Sequence, residues 1–129
     1  MSRDFDGNGG GELTIQDSEI GKVDGSGTWI IWGLGQDLVI HDKKDGEGSL
    51  TLRNFGNVTI SNKKDGNGVL IVLDCKSVSI REINGSGHTY LRIAGLKKIT
   101  MKDGDGNVYF VGAPPIIDRK NGNGNVERE

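Results

Sequence analysis

The chain has 129 residues, of which 33% are hydrophobic and 22 are glycine, and its 16 basic and 18 acidic side chains give a formal net charge of −2. This near balance supplies no sustained positive field for a phosphate backbone, so the composition excludes nucleic acid as a partner. No stretch approaches the roughly 18 apolar residues of a membrane span, and we expect no membrane insertion. The one cysteine, Cys75, excludes an internal disulfide.

The length predicts a single domain over residues 1–129. Residues 1–6 lack the apolar core of a signal peptide. The sequence therefore predicts a cytoplasmic protein, or a secreted or cell-surface protein if a leader has been removed.

An Asp/Asn-Gly-x-Gly turn occurs seven times, and successive turns start 18 to 21 residues apart. The seven turns begin at Asp6, Asp24, Asp45, Asp65, Asn84, Asp103 and Asn121. A near-constant period of about 20 residues is too short for a helix pair and indicates a solenoid in which each repeat forms one coil. The predicted fold is all-β, a parallel β-helix or β-solenoid of about seven short coils.

Each coil is predicted to contain two short strands that bury one apolar face. An early coil carries the pattern at Ile30, Trp32, Leu38 and Ile40. Later coils repeat it at Leu50, Leu52, Val58 and Ile60, then at Leu70, Val72, Val78 and Ile80, and then at Leu91, Ile93, Ile99 and Met101. Alternation within each pair is the period-2 signature of a strand with one buried side.

Two kinds of bend are predicted to close each coil. A lone apolar residue between the strands marks a corner, and Phe55, Cys75 and Leu96 are expected to point inward there and stack. The other bend is the Asp/Asn-Gly-x-Gly turn. Its Asp or Asn oxygen accepts hydrogen bonds from backbone amides, and glycine supplies a positive φ, as expected at Gly66.

The C-terminal segment departs from the repeat. Pro114 and Pro115 interrupt the strand pattern because proline cannot donate to a ladder, so residues 112–129 are predicted to form an irregular C-terminal coil or cap. No amphipathic helix flanks the repeat to cover the strand edges of the first and last coils. We therefore expect self-association through the solenoid ends, or a chain that belongs to a longer array.

The alternative fold is an antiparallel β-meander or barrel, because Asp-Gly is also a strong hairpin turn signal. That fold predicts antiparallel neighbouring strands. It explains the fixed repeat length and the central corner residue less well than a solenoid does.

Three strand phrases carry a resemblance to a known class. Residues 57–62 (Asn-Val-Thr-Ile-Ser-Asn), 77–81 (Ser-Val-Ser-Ile-Arg) and 98–102 (Lys-Ile-Thr-Met-Lys) resemble strands of right-handed parallel β-helices of the pectate-lyase-like class. The resemblance implies a small polysaccharide-active enzyme as an alternative function, with carboxylates or basic residues in a groove walled by long loops. The chain has shorter coils and no long insertions, so no catalytic residue is proposed.

Acidic residues near two turns make calcium the alternative cofactor. Asp4 and Asp6 open a segment that looks like an EF-hand loop, and Asp103 and Asp105 offer further oxygen donors. The EF-hand pattern fails because its twelfth position, which needs a bidentate Glu, is Ile15. The turn carboxylates are instead expected to form a surface column whose repulsion is offset by preceding lysines, including Lys64 and Lys102.

Two predicted columns of outward side chains each suggest a kind of ligand. Trp29 and Tyr90 are expected to share one outward column and to stack on sugar rings, which makes a glycan the candidate partner. Val39, Thr59, Ser79 and Thr100 are expected to form another outward column, which would suit ice binding. The leading prediction is a non-enzymatic repeat scaffold that acts as a structural, interaction or glycan-binding module.

Overall fold

The computed structural model describes residues 3–5, 9–24, 26–43 and 47–129, and in these ranges the secondary structure consists of fourteen β-strands without a helix. No helix long and apolar enough to cross a membrane occurs among them. The strands are Arg3–Phe5 (β1), Gly11–Thr14 (β2), Glu19–Val23 (β3), Thr28–Trp32 (β4), Leu38–Lys43 (β5), Ser49–Arg53 (β6), Asn57–Lys64 (β7), Val69–Leu73 (β8), Ser77–Ile83 (β9), Thr89–Arg92 (β10), Lys97–Lys102 (β11), Val108–Phe110 (β12), Ile116–Lys120 (β13) and Val126–Arg128 (β14).

The strands alternate between two parallel sheets. The odd-numbered strands form the first sheet and the even-numbered strands the second, with seven strands each. Neighbours pair in parallel and one repeat apart, as Leu50 with Leu70 and Ile60 with Ile80. The chain thus winds through about six turns of about 19 residues. The predicted β-solenoid is confirmed, and the antiparallel alternative is wrong.

The core consists of columns of identical or similar side chains that run along the solenoid axis. From β3 to β13, one column in the first sheet consists of isoleucine, namely Ile20, Ile40, Ile60, Ile80, Ile99 and Ile117. The facing column in the second sheet contains Ile31, Leu52, Val72, Leu91 and Phe110. Burying one such side chain contributes about 1.5–3 kcal/mol, so these columns supply the main force that holds the coils together.

In the turns whose glycines are both described, the two glycines have different physical roles. Gly66 has φ 80°, which a residue with Cβ rarely adopts, and its N–H donates to Asp65 Oδ1 at 2.8 Å. Gly87, the second glycine of its turn, is buried, and a Cβ there would overlap the carbonyl oxygen of Gly68 in the neighbouring coil. The first glycine therefore permits the bend, and both glycines permit the close approach of the coils, since a Cβ at Gly104 would also overlap its neighbour.

Among the described residues, three lysines are buried in the core, contrary to the expectation that Lys64 and Lys102 are surface residues. Lys64 and Lys102 lie in one inward column on either side of Ile83. Lys102 Nζ donates to the Asp103 carbonyl at 3.0 Å, and desolvation lowers the pKa of Lys102. Lys97 Nζ donates to the carbonyls of Ile93 and Gly95 at 2.8 and 2.9 Å. The ammonium groups of Lys97 and Lys102 therefore bind bend carbonyls from inside the solenoid.

The corner prediction is correct for Phe55, which is 3% exposed, but wrong for Leu96, which is 59% exposed. Because Arg92 pairs with Leu73 and Lys97 with Val78, the corner begins at Ile93 in that coil. Ile93 is 3% exposed and is therefore the buried residue at this corner.

The terminal strands of both sheets have a paired neighbour on one side only in the described chain. These strands are β1 and β13 in the first sheet and β2 and β14 in the second. Residues 112–129, predicted as an irregular coil or cap, contain β13 and β14, which pair with β11 and β12. Self-association through these edges stays a prediction.

Candidate interaction face

The described residues enclose no pocket and bring together no group of three His, Cys, Asp or Glu side chains able to hold a metal ion. The surfaces that remain are the outward faces of the two sheets. These faces differ in chemistry, and the outward face of the second sheet is the one that carries aromatic and guanidinium side chains beside aliphatic ones.

Two outward columns of the second sheet form a band of apolar, aromatic and guanidinium side chains, which we call the outer strip. One column contains Ile30, Thr51, Ile71, Tyr90 and Tyr109, and the other contains Trp32, Arg53, Leu73 and Arg92. Along β6 and β8 the inward neighbours of these residues are buried, as the alternation of a strand requires. All members of the strip are half-buried except Arg92, which is exposed.

The N-terminal half of the outer strip is held by a chain of contacts that crosses four coils. Trp32 Nε1 donates to Glu12 Oε2 at 2.6 Å. The Arg53 guanidinium lies 4.4 Å from the centroid of the Trp32 ring, and its Nη2 donates to Asp74 Oδ2 at 2.7 Å. The Trp32 ring and the Arg53 guanidinium are therefore fixed relative to each other by a cation–π contact and two hydrogen bonds.

The C-terminal half is built around two stacked rings. Tyr90 and Tyr109 lie 5.0 Å apart between centroids with an interplanar angle of 19°. The Arg92 guanidinium lies 4.9 Å from the Tyr90 centroid and donates from Nε to Glu129 Oε1 at 2.8 Å. That hydrogen bond raises the pKa of Arg92, so the guanidinium stays charged. The register of a parallel sheet positions the two rings one above the other.

A hydrogen bond and an edge-on ring contact also hold Tyr109 in the C-terminal half of the outer strip. Asn107 Nδ2 donates to the Tyr109 hydroxyl at 2.9 Å, and the His88 ring meets Tyr109 edge-on at 5.8 Å. His88 Nδ1 accepts the Asn107 backbone N–H at 3.0 Å, so His88 bridges two coils.

The outward face of the first sheet is more polar. Its central column contains Glu19, Val39, Thr59, Ser79, Lys98 and Ile116. Beside it, His41 and Ser61 form a side-chain hydrogen bond at 3.0 Å. Short hydroxyl residues of this kind are ordinary on the solvated face of a sheet.

The two residues predicted to bind a glycan lie in different columns, so the expectation that they share one is wrong. Tyr90 lies in the outer strip. Trp29 pairs with Leu50 and shares the inward face with Ile31, two residues later in the same strand. Its ring packs against Phe5 at 5.0 Å, and its Nε1 is buried. A role for Trp29 and Tyr90 in glycan binding stays a prediction.

The column expected to suit ice binding is also differently composed. Val39, Thr59 and Ser79 are in register, but the next member is Lys98 rather than Thr100. The lysine interrupts the run of short side chains.

Two of the predicted calcium ligands, Asp4 and Asp103, already accept backbone hydrogen bonds. Asp4 Oδ1 accepts the Lys22 N–H at 3.1 Å, and Asp103 Oδ1 accepts the Gly104 N–H at 2.8 Å. Asp105 is exposed, and Asp6 lies outside the described residues. Asp4 and Asp103 lie on β1 and just after β11, far apart in the order of coils. Calcium binding stays a prediction.

Cys75 is only partly buried at its corner, and its Sγ lies 3.1 Å from the Leu73 carbonyl oxygen. Desolvation raises the pKa of the Cys75 thiol, which disfavours the thiolate that a nucleophile requires.

Sequence reasoning included Tyr90 but missed the strip as a surface, with Arg53, Tyr109 and Trp32 as its contact residues. A signal was present, because the outward residues of successive coils could be aligned as the inward ones were. No protein-family model, curated protein or solved structure matches this chain.

Proposed function

We propose that this protein is a non-enzymatic interaction scaffold that binds a partner protein through the outer strip. The observation that carries the proposal is the asymmetry of the two outward faces. Within one solenoid of one repeat, the central outward column of the first sheet mixes charged, hydroxyl and aliphatic side chains without an aromatic ring, whereas the second sheet presents aromatic, aliphatic and guanidinium groups. Folding alone does not require this difference, because both faces lie outside the core.

The residue types of the outer strip are those that contribute most at protein interfaces. Tryptophan, tyrosine and arginine are enriched among interface hot spots. The strip contains Trp32, Arg53, Tyr90, Arg92 and Tyr109. Ile30, Ile71 and Leu73 lie between them and add apolar area.

The strip is also ordered before any partner arrives. Arg53 is held between Trp32 and Asp74, and Arg92 between Tyr90 and Glu129. Immobilising a long side chain on binding costs about 0.5–1.5 kcal/mol, and a side chain that is already held avoids most of that cost.

The size of the strip supports a transient complex. Five strands about 4.8 Å apart and two outward positions about 6.6 Å apart give a footprint on the order of 300 Å². A standard stable interface buries about 800 Å² on each partner. We therefore expect weak, reversible binding in which a few side chains supply most of the affinity.

A glycan is the second candidate because the strand phrases resemble those of pectate-lyase-like β-helices. Sugars stack on open aromatic faces. In the outer strip, Tyr90 and Tyr109 turn a face to each other, and Arg92 lies over Tyr90. These contacts occupy ring faces that a sugar would need, which favours a protein partner.

A matched pair of photo-reactive side chains tests the proposal. Position 71 lies in the outer strip on β8, and position 79 is the corresponding half-buried outward position on β9. We expect the probe at position 71 to cross-link one protein in an extract of the source cells, and the cross-link to reappear with the purified protein. The change Leu73→Lys should abolish it.

Equal labelling from positions 71 and 79 would contradict the proposal. Saturable binding to a polysaccharide that is lost in Tyr90→Ala, without a protein cross-link, would favour the glycan candidate instead.

A further inference from the structure

We infer that Asn84 is a self-modification site at which the folded protein spontaneously converts a side-chain amide to a carboxylate. Asn84 and Gly85 begin one of the interior Asp/Asn-Gly-x-Gly turns. The co-reactant is water, and the product is aspartate or its β-linked isomer.

The contact between Asn84 and Gly85 brings the reacting groups together. The Gly85 N–H donates to Asn84 Oδ1 at 2.8 Å, which places the nitrogen beside the carboxamide carbon bonded to that oxygen. Gly85 is partly exposed and has no side chain to hinder the approach. Holding reactants at near contact distance accelerates an intramolecular reaction.

The Gly85 N–H takes no part in the backbone hydrogen bonds between coils, because it donates to the Asn84 side chain. The coil is instead anchored on either side of it. Asn84 N–H donates to the Lys64 carbonyl at 2.8 Å, and Gly87 N–H donates to the Gly66 carbonyl at 3.0 Å. The Gly85 nitrogen can therefore lose its proton without breaking a bond between coils.

The reaction balances without an oxidant or reductant. The Gly85 nitrogen gives its proton to hydroxide and forms a bond to Asn84 Cγ, while the Cγ–Nδ2 bond breaks and ammonia leaves with a proton from water. The cyclic imide then adds one water at either carbonyl and opens to aspartate or isoaspartate. One water is consumed in total, and one ammonia is released.

The product changes the charge of the turn surface. Lys64, Ile83 and Lys102 occupy one column, so the residues that follow them, Asp65, Asn84 and Asp103, occupy successive coils. Asn84 is the neutral member between two carboxylates. Its conversion changes the formal net charge from −2 to −3 and adds repulsion within this column.

Asn123 provides a matched internal control. It also precedes a glycine and is exposed, but the Gly124 N–H donates to the Gly104 carbonyl at 3.2 Å and so belongs to the ladder. Exposure alone predicts that Asn123 reacts faster. The hydrogen-bond argument predicts the opposite order.

The test is a time course of the intact protein at mildly alkaline pH, followed by peptide mapping with mass spectrometry and ion-exchange chromatography. We expect conversion at Asn84 about tenfold faster than at Asn123 in the folded protein, because reaction at Asn123 must first open a ladder bond. In concentrated urea the two rates should become similar. The variant Asn84→Gln should remove the main acidic species.

Two results would overturn the inference. One is conversion at Asn123 that equals or exceeds conversion at Asn84 in the folded protein. The other is an intact Asn84 in the folded protein under conditions where the urea sample converts. Neither result bears on the outer strip.

Discussion

The most demanding prediction concerns Gly104, the first glycine of an interior turn. Gly104 has φ 78°, and a Cβ at this position would overlap the carbonyl oxygen of Gly85 in the neighbouring coil. In Gly104→Ala the left-handed backbone costs about 1–2 kcal/mol. Overpacking against the neighbouring turn costs about 1–3 kcal/mol more. We expect a total loss of about 2–5 kcal/mol in the free energy of unfolding.

This loss translates into a measurable change of melting temperature. An unfolding entropy of about 2.1 cal/mol/K per residue gives about 270 cal/mol/K for the chain, so each kcal/mol lowers the midpoint by about 4 °C. Gly104→Ala should therefore melt about 7 to 18 °C below the parent in a circular dichroism or calorimetric scan.

Two further variants separate the causes. Gly106→Ala meets the backbone of Gly87 but has no positive φ, so it should lose only the packing part. Asp105→Ala changes the exposed residue between them and should melt within about 2 °C of the parent. A Gly104→Ala protein that melts like Asp105→Ala would refute the account of the turn.

Three other predictions follow from the core, the corner and the ends. Lys102 has a lowered pKa in the folded state, so the unfolded chain binds more protons between that pKa and the ordinary value of 10.5. Parent stability should therefore rise with pH in this window. Lys102→Met should lose this rise, whereas the exposed Lys98→Met should keep it in urea titrations at several pH values. Cys75 should react with a thiol reagent at neutral pH more slowly than a free thiol, because burial raises its pKa; the rate of a free thiol in the native protein would contradict this. Edge pairing of the terminal strands predicts concentration-dependent association in light scattering, which a clean monomer at high concentration would contradict.

The period and the parallel fold could be predicted because their signals are local. The Gly66 turn depends on dihedral angles within a few residues, and the side-chain bond from Asp65 is a neighbour contact. The alternation of Leu50 and Leu52 likewise reports its own strand. Such features are visible in any single repeat.

The wrong predictions concern residues whose burial depends on how one coil aligns with the next. Leu96 appeared to continue the series of Phe55 and Cys75, but the pairing of Lys97 with Val78 moves the corner to Ile93. Trp29 was predicted to point outward, but the pairing of β4 with β6 aligns it with the buried Leu50 and so turns it to the inward face. A shift of one residue reverses the face of a strand, so small errors of alignment exchange core and surface.

The burial of the lysines could not be predicted from the sequence, for a different reason. A lysine is almost never fully buried without a partner. The partners of Lys97 are the main-chain carbonyls of Ile93 and Gly95, which no residue identity encodes. The outer strip raised the same difficulty, since Arg53 acquires its place from Trp32 in one neighbouring coil and Asp74 in the other.

The most direct test of the central claim compares the affinity of Ile71→Lys and Ser79→Lys for the partner protein that cross-links at position 71. Both changes place a lysine at a half-buried outward position, on β8 and β9 respectively, so general effects on stability are matched. If the outer strip is the binding surface, Ile71→Lys should weaken binding by about 30-fold, the equivalent of about 2 kcal/mol at a hot spot, and Ser79→Lys should leave it unchanged. Equal affinities of the two variants would contradict the assignment of the outer strip.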